Sequence, residues 1–338
     1  MIQIRRIFMV LATTAVGLLA ASSILAAESY QVSQPEPYII DTDMDFDDWF
    51  SILYLVNNPN VDVKAITVTG TGVASCETGV DNALRLLALA GKSGIPVACG
   101  KKKPLHGDLL VEKDYRDTVD NFLGLEMPNA KDTGSDEYAV ELMRRTLSES
   151  NKPVNIIALG PLSNIESLLY GYDYLKPKVK RLYIMGGAVD VPGNVKDHDN
   201  KTAEWNVYAD PHAAIVVLHA GVPITLVPLD ATNQVPISKR VYNDMAKQQQ
   251  SSSAKFIVKA MAKEMQMDKQ YFWDPLVAVI ATNPEIATVQ PMRLKIIVKK
   301  GPDYARTVKS AKGSPVDVVT KVDEKAFDKA FIDTVNQG

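Results

Sequence analysis

Cysteine, histidine and net charge are all scarce in this chain. Its 338 residues include two cysteines, Cys76 and Cys99, and four histidines. Two cysteines permit at most one internal bridge, so a disulfide framework cannot replace a hydrophobic core, and spacing alone leaves open whether these two meet. Lys and Arg number 37 against 40 Asp and Glu, a formal charge of −3. That balance gives no general attraction to nucleic acid or to an anionic membrane. Internal repeats, low-complexity tracts and dividing linkers are also absent. The one long apolar run lies in the opening MIQIRRIFMVLATTAVGLLAASSILAAES, where Arg5 and Arg6 precede it and small residues finish it around Ala26-Ala27. This plan predicts a secretory signal peptide over residues 1–27, with residues 28–338 forming a single domain in the periplasm or secreted. The run from Ile7 is nearly long enough to serve instead as a lasting anchor, but small residues fill its end. No later stretch is long and apolar enough to span a bilayer.

What remains is a chain long enough to bury a large core, with short apolar runs alternating with helix-like periodicity. PYII (37–40) precedes a helix through DWFSILYLV, VDVKAITVT (61–69) precedes one through DNALRLLALAG, and PVNIIALG (153–160) precedes PLSNIESLLY. VKRLYIMGG (179–187), ADPHAAIVVLHAG (209–221) and VPITLVPLD (222–230) continue the series. Continuous rather than alternating apolar strands predict a mostly parallel sheet covered on both faces, an α/β sandwich. In such sheets ligands gather beyond the carboxyl ends of the strands. The residues placed there are Asp41, Asp43, Gly70 to Gly72, Gly160, Met185-Gly186-Gly187 and Asp230. Ile257, Met261 and Met265 repeat at helical spacing and read as core. DEKAFDKAFIDTV reads as an amphipathic closing helix capped by Asp323, with Phe327 and Phe331 inward.

Against that background residues 41–48, DTDMDFDD, stand out: five carboxylates in eight residues, at the end of a buried strand. Asp41 and Asp43 share a side by the two-residue period, while Asp47 and Asp48 open the following helix. A helix N-terminus accounts for one or two of them. The others repel one another unless a positive charge sits among them. A hard divalent cation such as Ca²⁺, which takes six to eight oxygen ligands, meets that need. An EF-hand loop fails, because Phe46 stands where Gly is required and Ile52 where Glu is required. A haloacid-dehalogenase phosphatase pattern fails at Asp45, where it requires Thr or Val. A solvated acidic loop is the remaining alternative.

With DTDMDFDD the chain resembles the inosine-uridine-preferring nucleoside hydrolases, over Ile39 to about Asn283. LGPLSN (159–164), MGG (185–187), GNVKDHDNKTAEWN (193–206) and WDP (273–275) resemble further segments of that family. The resemblance implies a three-layer α/β domain with a Rossmann-like sheet and a Ca²⁺-dependent enzyme that hydrolyses the N-glycosidic bond of nucleosides. It makes Asp43 the general base and a metal ligand, Asp48 a bidentate ligand, and Asp274 and the Leu159 carbonyl the rest of the protein's share of the shell. Asp47 is implied as a partner of a ribose hydroxyl, with Asn194, Glu204 and Asn206 holding the sugar and Met185 in the turn beside it. Three departures stand out. Met44-Asp45 replaces the family's usual Pro-Gly, the spacer before Glu204 is longer, and TVTGTGVASC (67–76) lacks the Asn often found after the second strand.

The chemistry is consistent with those residues. Cleaving a ribosyl carbon–nitrogen bond builds oxocarbenium-like charge on the sugar, which carboxylates stabilise. Trp273 stands where relatives that accept both purines and pyrimidines commonly carry His. As a stacking platform it implies a purine preference; its other reading is core packing. His212 and His219 read as packing or surface residues, His106 as a loop, and His198 either as a loop residue or as a proton donor to the base. Trp205, Tyr271 and Phe272 are read either as a lid over the mouth or as packing. The expected partner is a small-molecule nucleoside, with homo-oligomers usual in such families. A non-catalytic periplasmic nucleoside or ribose receptor that keeps the metal site is the competing class.

Overall fold

The computed structural model describes residues 34–104, 111–195, 200–267 and 269–338. The predicted signal segment, His106 and His198 lie outside them. Nine strands are present among the described residues: β1 (Glu36–Thr42), β2 (Val61–Val68), β3 (Val97–Cys99), β4 (Val154–Ala158), β5 (Val179–Met185), β6 (Ile224–Val227), β7 (Ala287–Ile296), β8 (Thr307–Lys309) and β9 (Ser314–Val322). They form one sheet in the order β3-β2-β1-β4-β5-β6-β9-β7-β8. Pairing is parallel from β3 through to β9, and β7 runs antiparallel to both β9 and β8.

Alternate residues of each central strand enter different cores, which is why the strands are apolar throughout. Tyr38 and Ile40 of β1, Ile157 of β4 and Met185 of β5 pack into one apolar cluster. Ile39, Ile156, Ala158, Leu182 and Ile184 pack into the other. The sheet is therefore covered on both faces, and the expected three-layer α/β sandwich is present. Strand order reverses direction between β1 and β4, so the crevice beyond their carboxyl ends is a topological switch point.

Helix α1 (Phe46–Asn57) follows β1 and is buried along its whole length, which explains its continuous apolar composition. It ends before Pro59, which disfavours helical backbone at Asn58. Trp49 packs on Phe122 at 4.8 Å between ring centroids, and the helix Trp273–Thr282 packs alongside. Helix α2 (Cys76–Leu89) follows β2, and its first residue is disulfide-bonded to Cys99 at the end of β3, with 5.5 Å between Cα atoms. The closing helix Glu324–Val335 is capped by Asp323 and buries Phe327 and Phe331, as its pattern predicts.

Candidate active site

The acidic loop turns sharply between β1 and α1. Met44 has φ of 60°, a left-handed conformation closed to proline, so the backbone departs here from the Pro-Gly form. Thr42 Oγ1 accepts from Met44 N at 2.9 Å, and the Met44 carbonyl accepts from Trp49 Nε1 at 3.1 Å. Asp45 is the N-cap of α1: its Oδ1 accepts from Phe46 N at 2.8 Å, while Asp48 Oδ2 accepts from Asp45 N at 3.0 Å in a reciprocal capping box. The helix start thus uses Asp45, the added carboxylate. The hydroxyl of Thr42 hydrogen-bonds Asp48 Oδ1.

Asp43 is buried beside two glycines. A Cβ at Gly72 would stand 2.0 Å from Asp43 Oδ2, and one at Gly160 would stand 2.7 Å from Asp43 Cβ. Only glycine permits these approaches. Asp43 Oδ2 accepts from Val73 N at 3.1 Å. One residue pair before it, Asp41 is held by Thr67 Oγ1 at 2.6 Å and Asn164 Nδ2 at 2.9 Å, both on Oδ1. Asn164 and Ser163, whose hydroxyl donates to Asp210 Oδ2 at 2.6 Å, show how the LGPLSN turn braces the sheet end from behind.

Asp47, Asp48 and Asp274 are all buried and each offers an oxygen within 4.8 Å of the others. The Asp274 backbone N–H also donates to Asp47 Oδ2 at 3.2 Å. The charge of Asp48 bears on the carboxyls of both Asp43 and Asp274. Carboxylates crowded in this way resist ionising together unless a cation sits among them. Burial first, and neighbouring carboxylates second, push Asp45 and Asp48 up to about 7 and Asp43, Asp47 and Asp274 well above the carboxylate range. Burial alone raises Asp41 to about 7 against its two hydrogen bonds. An all-oxygen, acidic, buried donor set fits a hard divalent cation. This trio includes Asp47, which the resemblance assigns to the sugar, and not Asp43, which it assigns to the metal.

These side chains line a cavity of about 330 Å³ together with Leu159, Met185, Asn194, Glu204, Asn206 and Trp273. The ten residues assigned to the site through the family resemblance therefore border one space. Several are already engaged. Leu159 O accepts from Asn206 Nδ2 at 2.7 Å, which leaves its second lone pair. Glu204 caps the helix Trp205–Ala209, accepting from Asn206 N at 2.8 Å and Val207 N at 3.0 Å, and also from Gly187 N at 2.9 Å. Its first role is to fix Asn206 and the MGG turn. Asn194 Oδ1 accepts from Trp205 N at 2.8 Å, so its amide NH₂ is the part left for a ligand.

For the residues left with two readings the fold selects one. Phe272 is fully buried among Phe50, Phe327 and Phe331 and takes no part in the mouth. Trp205 lines the cavity, whereas Tyr271 does not. His219 is exposed at a helix end with Nδ1 2.7 Å from Ile215 O. Asp230 serves the loop after β5, accepting from Val189 N and Asp190 N at 2.8 Å each. Sequence reasoning missed Val73, Val111, Glu112, Tyr115 and Gln270, which complete the cavity wall. Tyr115 Oη donates to Asp45 Oδ2 at 3.0 Å. No periodicity or motif marks the segment that carries it.

The family model described as inosine-uridine preferring nucleoside hydrolase matches residues 38–329. The chain is 38% identical over 204 residues to the pyrimidine-specific ribonucleoside hydrolase RihA of Escherichia fergusonii, covering 60% of this chain and 62% of that protein. It thus spans less than two thirds of that relative's length. The inosine-uridine preferring nucleoside hydrolase of Bacillus anthracis superimposes with a TM-score of 0.80 at 25% identity, covering 90% of this chain and 100% of that one. The plant nucleoside hydrolase PpNRh1 gives a TM-score of 0.81 at 27% identity, covering 89% and 99%. With its Asp-rich strand end, its switch-point cavity and this match along nearly the whole described fold, the chain belongs to the inosine-uridine preferring nucleoside hydrolase family.

Proposed function

We propose that this protein is an exported, Ca²⁺-dependent nucleoside hydrolase that releases free base and ribose, with purine ribonucleosides preferred. The observation that carries the reading is the meeting of Asp43, Asp47, Asp48 and Asp274 with Asn194, Glu204 and Asn206 around one cavity. Asp43, Asp48, Asp274 and the Leu159 carbonyl would hold the ion, with Asp47 beside them. Ca²⁺ is favoured over Mg²⁺ because crowded carboxylates of mixed orientation suit its larger, more flexible shell. When bound, the ion supplies charge neutralisation and Lewis acidity toward the sugar hydroxyls and water.

The chain's own residues do the rest. Asp43 takes a proton from the attacking water, with its carboxylate oriented by the Val73 N–H. The carbon–nitrogen bond breaks with its electron pair going to the base, which takes a proton from solvent, the water oxygen bonds the same sugar carbon, and the carboxylates stabilise the positive charge that builds on the ribosyl ring. Asp47 accepts a hydrogen bond from a ribose hydroxyl, and the amides of Asn194 and Asn206 fix the sugar. The half-buried Trp273 offers its ring to the leaving base, which supports purine choice. RihA, by name pyrimidine-specific, makes uridine and cytidine the necessary comparison. The N-terminal run with Arg5 and Arg6 supports export.

The test is turnover of inosine, adenosine, guanosine, uridine and cytidine by wild type and Asp43→Ala. Wild type is expected to release base from the purines fastest. Asp43→Ala is expected to lose on the order of a thousandfold in kcat while still binding nucleoside. A wild type that binds nucleosides and hydrolyses none would make the protein a receptor.

A further inference from the structure

We propose that Arg116 is a positioning residue for Asp43, carried by the helix Lys113–Asp120 acting as a strap across the loop that orients the base. The inference rests on Asp43 being the general base. The loop from Gly70 to Ser75 has no regular secondary structure, yet it supplies the N–H that Asp43 Oδ2 accepts. Ala74 N donates to Asp43 O at 2.9 Å and Ser163 Oγ to Thr71 Oγ1 at 3.1 Å, and a further tie holds the peptide between them. Arg116 Nε donates to Val73 O at 2.8 Å and Nη2 to Gly72 O at 3.4 Å.

The Gly72 carbonyl and the Val73 N–H belong to the same peptide unit. A guanidinium on its oxygen therefore holds the plane of the donor on its other side and polarises that donor toward Asp43. The guanidinium fork spans two successive carbonyls, which a point charge cannot. Gly72 also abuts the Asp43 carboxylate directly, so a small shift of this peptide moves the base.

Two further contacts make the helix a strap. Tyr115 Oη donates to Asp45 on the other side of Asp43, and Asp120 accepts from Ser75 N at 3.3 Å and Ser75 Oγ at 3.0 Å at the far end of the loop. Val119 is the helix's only buried residue, so these polar ties, rather than a broad apolar face, set its place. Among the described residues no Lys, Arg or His lines the cavity. Arg116 acts from behind the wall, through the peptide.

The experiment compares kcat, KM and the Ca²⁺-induced thermal shift of wild type, Arg116→Ala, Arg116→Lys and Arg85→Gln on the nucleoside that wild type turns over fastest. Arg85 is the control, since it binds the carbonyls of Pro128 and Met127 at 3.1 and 3.3 Å away from the cavity. Arg116→Ala is expected to lose between about ten- and a hundredfold in kcat, the scale set by misplacing a reacting group. Its KM should stay within about threefold and its Ca²⁺ shift should persist, the pattern of an interaction expressed in the transition state. Arg116→Lys should fall between it and wild type, and Arg85→Gln should match wild type. The inference is overturned if Arg116→Ala keeps its kcat, if KM rises in step, if the Ca²⁺ shift vanishes, or if Arg85→Gln loses as much. Should Arg116→Ala fail to fold, Arg116→Lys decides by the same criteria. An inactive wild type overturns both this inference and the functional reading, whereas an active wild type with an unaffected Arg116→Ala overturns this inference alone.

Discussion

Asp43 is confined by residues without side chains, and this confinement makes the site brittle. Gly72→Ala would place a methyl 2.0 Å from Asp43 Oδ2, so the carboxylate or the turn must move. Overpacking of this kind costs about 1–3 kcal/mol, and the displaced base should lower kcat by roughly a hundredfold with KM nearly kept. Steady-state kinetics together with a melting curve check both parts; a variant with wild-type kcat would show that Asp43 needs no such enclosure. Individual residues also mark where sequence reading stops. The aspartates were legible because crowded carboxylates have few physical excuses, and Asn194, Glu204 and Asn206 because they resemble a known motif. Arg116, Tyr115 and Gln270 were not, since an ordinary polar side chain gains a role only from what the fold sets beside it. The aromatic trio Trp205, Tyr271 and Phe272 shows the same limit: Trp205 lines the cavity and Phe272 is core, a difference absent from their composition.

Helix α1 shows an element whose start serves two purposes. Asp45 caps it, while Asp48, the third helical residue, completes the capping box and also reaches the carboxylate trio. Asparagine caps a helix about as well as aspartate, so Asp45→Asn keeps the cap and removes one charge from the cluster. In metal-stripped protein at neutral pH it should therefore melt above wild type. Asp45→Ala should melt below Asp45→Asn by about 1 kcal/mol of lost capping, read by denaturant titration. Equal stability of the two variants would remove the cap from the account. The central parallel strands were legible as elements because burial on both faces writes continuous apolar runs. The β7–β8–β9 end was not. β7 lies antiparallel near the sheet edge with mostly exposed side chains, so its sequence carries neither an apolar run nor a clean alternation. The Cys76–Cys99 bridge was undecidable from spacing and follows from β3 pairing with β2 in parallel, which brings Cys99 level with Val68, just ahead of α2.

The whole molecule crowds a handful of its 40 acidic residues into one buried crevice. A formal charge of −3 conceals a crevice at the β1–β4 switch point that holds Asp43, Asp45, Asp47 and Asp48 near Asp274, with Asp41 buried beneath it on Thr67 and Asn164. A fold that buries these groups without a cation opposes their ionisation, which is why Asp41, Asp45 and Asp48 rise to about 7. For an acid whose folded value lies above its unfolded value of about 4, the stabilising contribution is intact at lower pH and is lost as pH rises through the folded value. Metal-stripped protein should therefore lose stability as pH rises from about 4 to about 7, the window set by those shifts, and the upper part of that loss falls between pH 5.5 and pH 8. A cation bound to the ionised cluster acts in the opposite sense, stabilising most where the carboxylates are charged. The decisive measurement is the melting temperature of chelator-treated protein across that range, with and without Ca²⁺. The melting temperature should fall with rising pH in chelator and be restored by Ca²⁺ at pH 8, with a smaller effect of Ca²⁺ at pH 5.5. A stripped protein equally stable at both ends of the range, with no response to Ca²⁺ at either, would contradict this expectation.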